Sequence, residues 1–372
     1  MEYPAIRIQP GPANYYSYPG ALEKLLAFFT NEQLSSALWI HGKRAGEAAE
    51  PYIRQVFQDS RTNSFLLTDH CTHEIVDGLA RDFEDVPLVV GIGGGSVQDT
   101  AKALAAKRDI PFVAIPTIAA TCAAWTPLSV WYDGSGKALG YEMFRQGAFL
   151  VLVEPRIICA APPVYLQAGL ADTIAKWYEA RLLSSGVDHL PHTAVLGLEV
   201  ARTIKDVLLA QGAQAFSDQA SGTVSSAFIE VVDAIVAGGG LVGGLGEKYT
   251  RVAAAHALHN GMSVLPATHD KLHGTKVAYG LLVQSALEHD KDGLEVLYEK
   301  FIELGLPVSF RDLGVDPTDA GQIDAVIAAT LVPHESIHLL PFPVDASRLR
   351  DAILEVEDFP QTHATNARRR IK

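Results

Sequence analysis

The stretch Leu88-Val89-Val90-Gly91-Ile92-Gly93-Gly94-Gly95-Ser96-Val97-Gln98-Asp99-Thr100-Ala101-Lys102 decides the fold. Leu88–Gly91 is a short apolar run of strand length, and Val97–Lys107 reads as a helix, so the glycines sit at a strand-to-helix turn. Glycine lets backbone N–H groups approach a phosphate closely, and a helix N-terminus adds favourable partial charge. A glycine run alone is equally a tight turn. This one is neither the GxGxxG fingerprint nor a P-loop, because no Gly-Lys-Ser/Thr follows. Its place between strand and helix favours anion binding, with Gly93, Gly94, Gly95 and Ser96 as cofactor-binding residues. Asp99, in the first turn of the helix, joins them, although a carboxylate there also suits the positive end of the helix dipole.

Outward from this turn the first half keeps one grammar. Ala37–Ile40, Ser64–Leu67, Leu88–Gly91, Phe112–Ile115 and Phe149–Val153 read as strands, and Ala45–Gln58, His73–Arg81 and Val97–Lys107 as helices between them. Strand, helix, strand repeated in this way predicts a parallel sheet with ligands at the carboxyl ends of its strands. After Pro162 and Pro163 the strand-like runs stop. Val164–Leu183, His192–Leu209, Ala220–Ala237, Thr250–Asn260, Thr275–His289 and Gly293–Leu304 read as helices. The expected organisation is an α/β nucleotide-binding domain over residues 1–160 and an all-α domain over 161–372, with the active site in the cleft between them. A second glycine cluster, Gly238–Gly240 with Gly243, Gly244 and Gly246, follows a helix and is expected to be a loop or a close helix contact.

The chain has 372 residues, 48% of them hydrophobic, which is enough for two cores. A formal net charge of −13 argues against a nucleic-acid partner. No apolar run is expected to reach the roughly 20 residues of a membrane span, and candidates such as Val86–Val90 are strand-sized. Cys71, Cys122 and Cys159 are odd in number and lack CxxC spacing, which fits a reducing, cytoplasmic setting. The expected partners are a small-molecule substrate and further copies of the chain in a homo-oligomer, with neither nucleic acid nor membrane.

Asp172 lies near the start of a helix, His256 and His259 share a helical face at i, i+3, and His273 follows. One carboxylate with two histidines and an open position is a catalytic metal pattern. The chain holds 13 histidines, so chance pairs are expected, and spacing alone leaves metal binding and ordinary polar packing both open.

Taken together, these motifs resemble the glycerol dehydrogenase-like group of the iron-containing alcohol dehydrogenase superfamily. GIGGGSxxDTAKA stands at residues 91–103, IPTIA at 115–119, LSVWY at 128–132, GLADTxAKWYEA at 169–180, AAAHALHNG at 253–261 and LHGTKVAYG at 272–280. Within that group the chain is similar to the hydroxycarboxylate dehydrogenase branch. The resemblance implies a dehydroquinate synthase-like fold, an α/β dinucleotide-binding domain followed by an all-α metal domain. It implies Asp172, His256 and His273 as metal ligands, with His256 also meeting substrate. It adds Thr117, Ala120, Thr126, Leu128 and Tyr132 to the cofactor contacts. In the iron-binding branch a further histidine stands four residues after the aspartate. Here that residue is Lys176, which favours Zn2+ over Fe2+ or another divalent metal. His259 is expected either to relay the alcohol proton as a catalytic residue or to hydrogen-bond behind a ligand.

Two departures bear on specificity. NAD-preferring relatives carry an aspartate after the first strand, where this chain has Gly42 followed by Lys43 and Arg44. That substitution predicts NADP(H) over NAD(H). Glycerol dehydrogenases carry an aspartate where this chain has Cys122. Losing that anion predicts small 2-oxo and 2-hydroxy carboxylic acids, such as 2-oxobutanoate or 2-oxoglutarate, as substrates. The alternative is a glycerol dehydrogenase making dihydroxyacetone with NAD.

Overall fold

The computed structural model describes residues 6–370. Six strands, β1 (Asn14–Ser17), β2 (Leu38–His41), β3 (Asn63–Leu66), β4 (Val89–Gly93), β5 (Phe112–Pro116) and β8 (Leu150–Val153), form one sheet in the order β1-β8-β5-β4-β2-β3. Every neighbouring pair is parallel. The middle strands are buried on both faces, which is why VVGIG, FVAIP and LVLV are continuous apolar runs and not alternating ones. Helices α1 (Leu25–Phe28), α2 (Asn31–Ser36), α3 (Lys43–Val56), α4 (His73–Asp82), α5 (Gly95–Arg108) and α6 (Pro155–Cys159) connect or follow them. The five expected strands are all present. β2 leads outward to β3 on one side, while β4 and β5 build toward β8 on the other. The order therefore reverses between β2 and β4, and the crevice beyond their carboxyl ends is where doubly wound sheets take ligands.

The sheet gains two features that periodicity did not signal. β1 is a half-buried edge strand of mixed composition. β6 (Leu128–Tyr132) and β7 (Ala138–Met143) form an antiparallel hairpin apart from the main sheet. A buried ion pair fastens it to α5. The Asp99 carboxylate lies 3.4 Å from Lys102 Nζ and accepts the Val130 N–H at 3.2 Å, while Ser129 Oγ donates to the Asp99 carbonyl. Lys102 also donates to the Ala123 and Leu128 carbonyls.

The remaining helices are α7 (Pro163–Ser185), α8 (His192–Ser221), α9 (Ser226–Asp233), α10 (Gly239–Gly246), α11 (Ala254–Met262), α12 (His273–Leu287), α13 (Lys291–Glu303), α14 (Ala320–Thr330) and α15 (Ala346–Arg370). The chain groups into two compact units. One joins Ala5–Gly169 with Ala210–Leu245, and the other contains Leu170–Leu209 and Gly246–Lys372. This grouping differs from the expected division at residue 160/161. Within residues 210–245 a helix was expected over 220–237, and the span is helical on both sides of a break at Gly222, but it packs with the sheet. Tyr15 donates to Asp233 Oδ1 at 2.6 Å, Gln219 Nε2 donates to the Ala161 carbonyl, and the Gln9 N–H bonds the Gly244 carbonyl at 3.0 Å. Periodicity identifies a helix, but not the surface that buries it.

The expected single helix over 220–237 is broken at Gly222, whose φ of +69° is in the left-handed region. Ser225 then caps α9 by accepting the Phe228 N–H. From Ser226 to Tyr249 the chain is helical and, by length and composition, apolar enough to cross a membrane, which corrects the expectation that no run reaches that length. Phe228, Val231, Val232, Ile235 and Val236 are fully buried in the protein, so this is a core helix. The second glycine cluster is the close helix contact expected of it. A Cβ at Gly240 would overlap the Trp125 indole, and one at Gly244 would overlap the Gln9 carbonyl.

Gly240→Ala should therefore cost about 1–3 kcal/mol through overpacking, read as a lower midpoint in thermal or urea unfolding. Adding Trp125→Leu should recover part of the loss. An unchanged midpoint in the single variant would contradict this packing.

Candidate metal centre and cofactor loop

Asp172, Lys176 and Glu179 recur along one face of α7 at i, i+4 and i+7. His256 is the third residue of α11, and His273 is the first residue of α12, two positions before the helix was expected to begin. α11 and α12 pack closely enough that a Cβ at Gly280 would overlap the Ala255 carbonyl. This contact brings the two histidines to one carboxylate. His256 Nε2 lies 3.3 Å and His273 Nε2 3.2 Å from Asp172 Oδ1. The three side chains form a set able to hold a metal ion, with one ligand atom from each within 4.8 Å of the others.

Glu179 fixes half of this arrangement. It is fully buried, and its Oε1 accepts the N–H groups of Ala253 at 2.7 Å and His256 at 3.1 Å. Its Oε2 lies 2.7 Å from His256 Nδ1. A carboxylate only accepts, so Nδ1 carries a hydrogen and Nε2 is the nitrogen turned toward Asp172. The same carboxylate satisfies orphan donors at the N-terminus of α11, where negative charge is favoured. On the other side, His273 Nδ1 faces His259 Nε2 at 3.1 Å. Asp172 Oδ1 is buried and finds no hydrogen bond of good geometry. A carboxylate oxygen and two imidazole nitrogens that converge on one point fit a cation. Two histidines and a carboxylate suit zinc, or another divalent metal that accepts nitrogen ligands.

Without a metal, protons fill the place of the cation, and a metal would displace the proton on His256 Nε2. Burial alone would raise the Asp172 carboxyl, but the Lys176 ammonium, 3.5 Å from Oδ2, and the two histidines hold it well below the usual range. Burial disfavours a charged His256, yet the Glu179 and Asp172 carboxylates outweigh that and lift it to about 9. Burial, then the nearby His273, Lys276 and His256, push His259 well down, so it is neutral.

The expected cofactor residues sit on the sheet unit. Gly93 ends β4, Gly94 precedes α5, and Gly95 begins it. A Cβ at Gly93 would come 2.7 Å from Val97, and one at Gly94 would come 2.7 Å from Ile118. The segment after β5 thus lies over the glycine turn, and the Thr117 N–H bonds the Gly93 carbonyl at 3.3 Å. Ala120 lies against Gly169, where even a methyl group would collide with the backbone of Ala119. Cys122 and Thr126 close a turn through the Thr126 N–H and the Cys122 carbonyl. Gly42 precedes α3, and a Cβ there would lie 4.0 Å from Val97, which places the start of α3 beside the glycine turn. Lys43 and Arg44 are exposed in its first turn. Ser96 is the second residue of α5, and Leu128 begins β6.

Two expected cofactor residues have other contacts. Asp99 is paired with Lys102 and accepts from the β6 backbone. Tyr132, at the far end of β6, stacks on His70 with ring centroids 4.7 Å apart, and its backbone N–H donates to the Cys71 carbonyl. Glu179 was not singled out from the sequence, although its i+7 spacing from Asp172 was visible there. Asn260 and Glu335, which continue the contacts behind His259, were also missed, and Glu335 lies too far along the chain for any spacing to signal it.

Comparison with known proteins agrees with this architecture. The family profile described as "Iron-containing alcohol dehydrogenase" matches residues 12–155. The chain is 52% identical over 360 residues to hydroxycarboxylate dehydrogenase A of Escherichia coli K12, covering 96% of this chain and 99% of that protein. It also superposes on the crystal structure of glycerol dehydrogenase from Schizosaccharomyces pombe with a TM-score of 0.85, at 27% identity and covering 99% of this chain and 94% of that one. A probable glycerol dehydrogenase from Sinorhizobium meliloti gives 0.82, again at 27% identity, covering 96% and 99%. With its parallel-sheet unit, its helical unit and a relative this similar along nearly its whole length, the chain belongs to the iron-containing alcohol dehydrogenase family, in its glycerol dehydrogenase-like group.

Proposed function

We propose that this dehydrogenase holds a divalent metal, zinc in preference to iron, and uses NADP(H) to interconvert small 2-oxo and 2-hydroxy carboxylic acids. The observation that carries the metal reading is the convergence of Asp172 Oδ1, His256 Nε2 and His273 Nε2. Lys176, at the position of the iron branch's extra histidine, leaves three protein ligands and favours zinc. When bound, the metal supplies a Lewis acid for the substrate oxygen and the nicotinamide supplies or accepts the hydride. The chain's own part is to bind and orient. Asp172, His256 and His273 hold the metal. Glu179 holds His256 in one tautomer. The N–H groups of the Gly93–Ser96 turn receive the pyrophosphate at the start of α5.

The cofactor preference rests on α3. Lys43 and Arg44 place positive charge at the positive end of a helix dipole, which is unfavourable unless an anion sits there. Gly42 adds no carboxylate to repel one. A 2′-phosphate supplies the missing charge, and Arg44 offers it a fork of donors.

The substrate reading rests on Cys122, which stands where glycerol dehydrogenases carry an aspartate, and on the 52% identity to a protein named hydroxycarboxylate dehydrogenase A. Oxidation of glycerol to dihydroxyacetone with NAD is the second reading. It is supported by relatives such as the Citrobacter freundii glycerol dehydrogenase, 35% identical over 278 residues.

Three measurements test this. Dialysis against a chelator should abolish activity and added zinc restore it, while Glu179→Ala should weaken zinc binding by roughly 10–100-fold in a chelator competition. Equal affinity in that variant would remove Glu179 from the metal site. NADPH should give a higher kcat/KM than NADH, and the double variant Lys43→Ala, Arg44→Ala should lose about tenfold of that ratio, roughly 1.4 kcal/mol. A wild-type preference for NADH would overturn the assignment. In a substrate panel, 2-oxobutanoate or 2-oxoglutarate should be reduced far faster than glycerol is oxidised, and Cys122→Asp should shift the balance toward glycerol. Glycerol outperforming every 2-hydroxy acid in the wild type would favour the second reading.

A further inference from the structure

The two histidines at the metal position are oriented by different means. His256 rests directly on a buried carboxylate. His273 rests on a row of hydrogen bonds that ends at the protein surface. Its Nδ1 lies 3.1 Å from His259 Nε2. His259 Nδ1 lies 3.0 Å from Asn260 Oδ1. Asn260 Nδ2 lies 3.1 and 3.0 Å from the two oxygens of Glu335. Glu335 belongs to the segment beside the start of α11, where Ser336 Oγ donates to the Ala253 carbonyl at 2.6 Å.

Each link in this row has only one polarity. The Glu335 carboxylate accepts and does not donate, so the Asn260 side chain must present its NH2 to it. That turns the Asn260 carbonyl oxygen toward His259, and an amide oxygen also only accepts. His259 must then carry its hydrogen on Nδ1. A neutral imidazole with hydrogen on Nδ1 has a lone pair on Nε2, which accepts from His273. His273 therefore donates through Nδ1 and keeps Nε2 bare on the side of Asp172. We infer that Asn260 and Glu335 are positioning residues that act through His259 to select the tautomer of His273 able to bind a metal. The inference rests on the metal reading above and adds residues to it. It also assigns His259, whose two ring nitrogens are both engaged in this row, to positioning rather than to proton relay.

The geometry makes a specific claim about Glu335. It orients an amide without touching either ring, so any residue that accepts from Asn260 Nδ2 will serve. Gln in its place can still accept through Oε1, whereas Ala cannot. Asn260 is the obligatory middle link. The effects of Glu335 and Asn260 are therefore in series, and removing the outer one after the inner one costs nothing more.

The test uses the full-length chain and two readouts. In chelator competition with zinc, Asn260→Ala should weaken affinity by about tenfold, at the low end for a residue behind a ligand. Glu335→Ala should weaken it by a smaller factor and Glu335→Gln should restore most of the loss. Combining Asn260→Ala with Glu335→Ala should match Asn260→Ala alone. In nitrogen-15 spectra of the zinc-free chain labelled at histidine, His259 should be the Nδ1–H tautomer in the wild type and a mixture in Asn260→Ala. Unchanged affinity in Asn260→Ala, multiplying effects in the double variant, or an Nε2–H His259 in the wild type would each overturn the inference. A wild-type chain that fails to bind zinc but shows the Nδ1–H signature would overturn the metal reading and leave the tautomer assignment standing.

Discussion

The buried carboxylate of Glu179 is the constraint on which the site depends. It has no exposure to water, and it takes two backbone N–H groups from the start of α11 and the Nδ1–H of His256. An unpaired carboxylate there would cost several kcal/mol, so the three donors must be in place whenever the unit is folded. That requirement sets the height of α11 against α7, the rotation of the His256 ring and the direction of its free nitrogen at once. Gly280 lets α12 come close to α11 and brings His273 to the same carboxylate oxygen. A candidate metal site of this kind is assembled by packing and by charges that stay paired without a metal, which leaves three ligand atoms converging.

Much of this was legible in the sequence, and the reasons differ by region. The central strands were visible because burial on both faces demands unbroken apolar runs. The glycine turn was visible because it stands between an apolar run and a helix, where Val97 and Ile118 leave no room for a side chain at Gly93 and Gly94. Asp172, His256 and His273 were recognisable as candidate ligands only through the ordered motifs around them, since 13 histidines make any single pair uninformative. What stayed hidden was pairing across long separations. Glu335 lies 75 positions beyond Asn260, and nothing local marks it. The partner of residues 210–245 was hidden for the same reason, because an apolar stripe states that a helix is buried and not against what.

Asp99 shows the opposite difficulty, a local signal with two valid explanations. A carboxylate in the first turn of a helix after a glycine turn fits a ligand site and a structural one equally well. The structure spends it on Lys102 and the β6 backbone, because a two-stranded hairpin with one exposed strand has little apolar surface to hold it in place. Gly238–Gly246 was less ambiguous. Several glycines within a helix cost conformational entropy, and the space they leave is filled by Trp125 and the Gln9 backbone.

The interleaving of the two units has a consequence for how the chain is made. Synthesis proceeds from the N-terminus, and all strands of the sheet have emerged once β8 is complete. Yet helices within 210–245 belong to the same core, and they emerge only after Leu170–Leu209 of the other unit has been made. The nascent sheet must therefore wait with Trp125 and the Gln9 edge uncovered while part of the helical unit passes through the ribosome. Non-local closure of this kind is slow, and a stalled or truncated chain ending before residue 245 leaves an apolar surface for chaperones to shield.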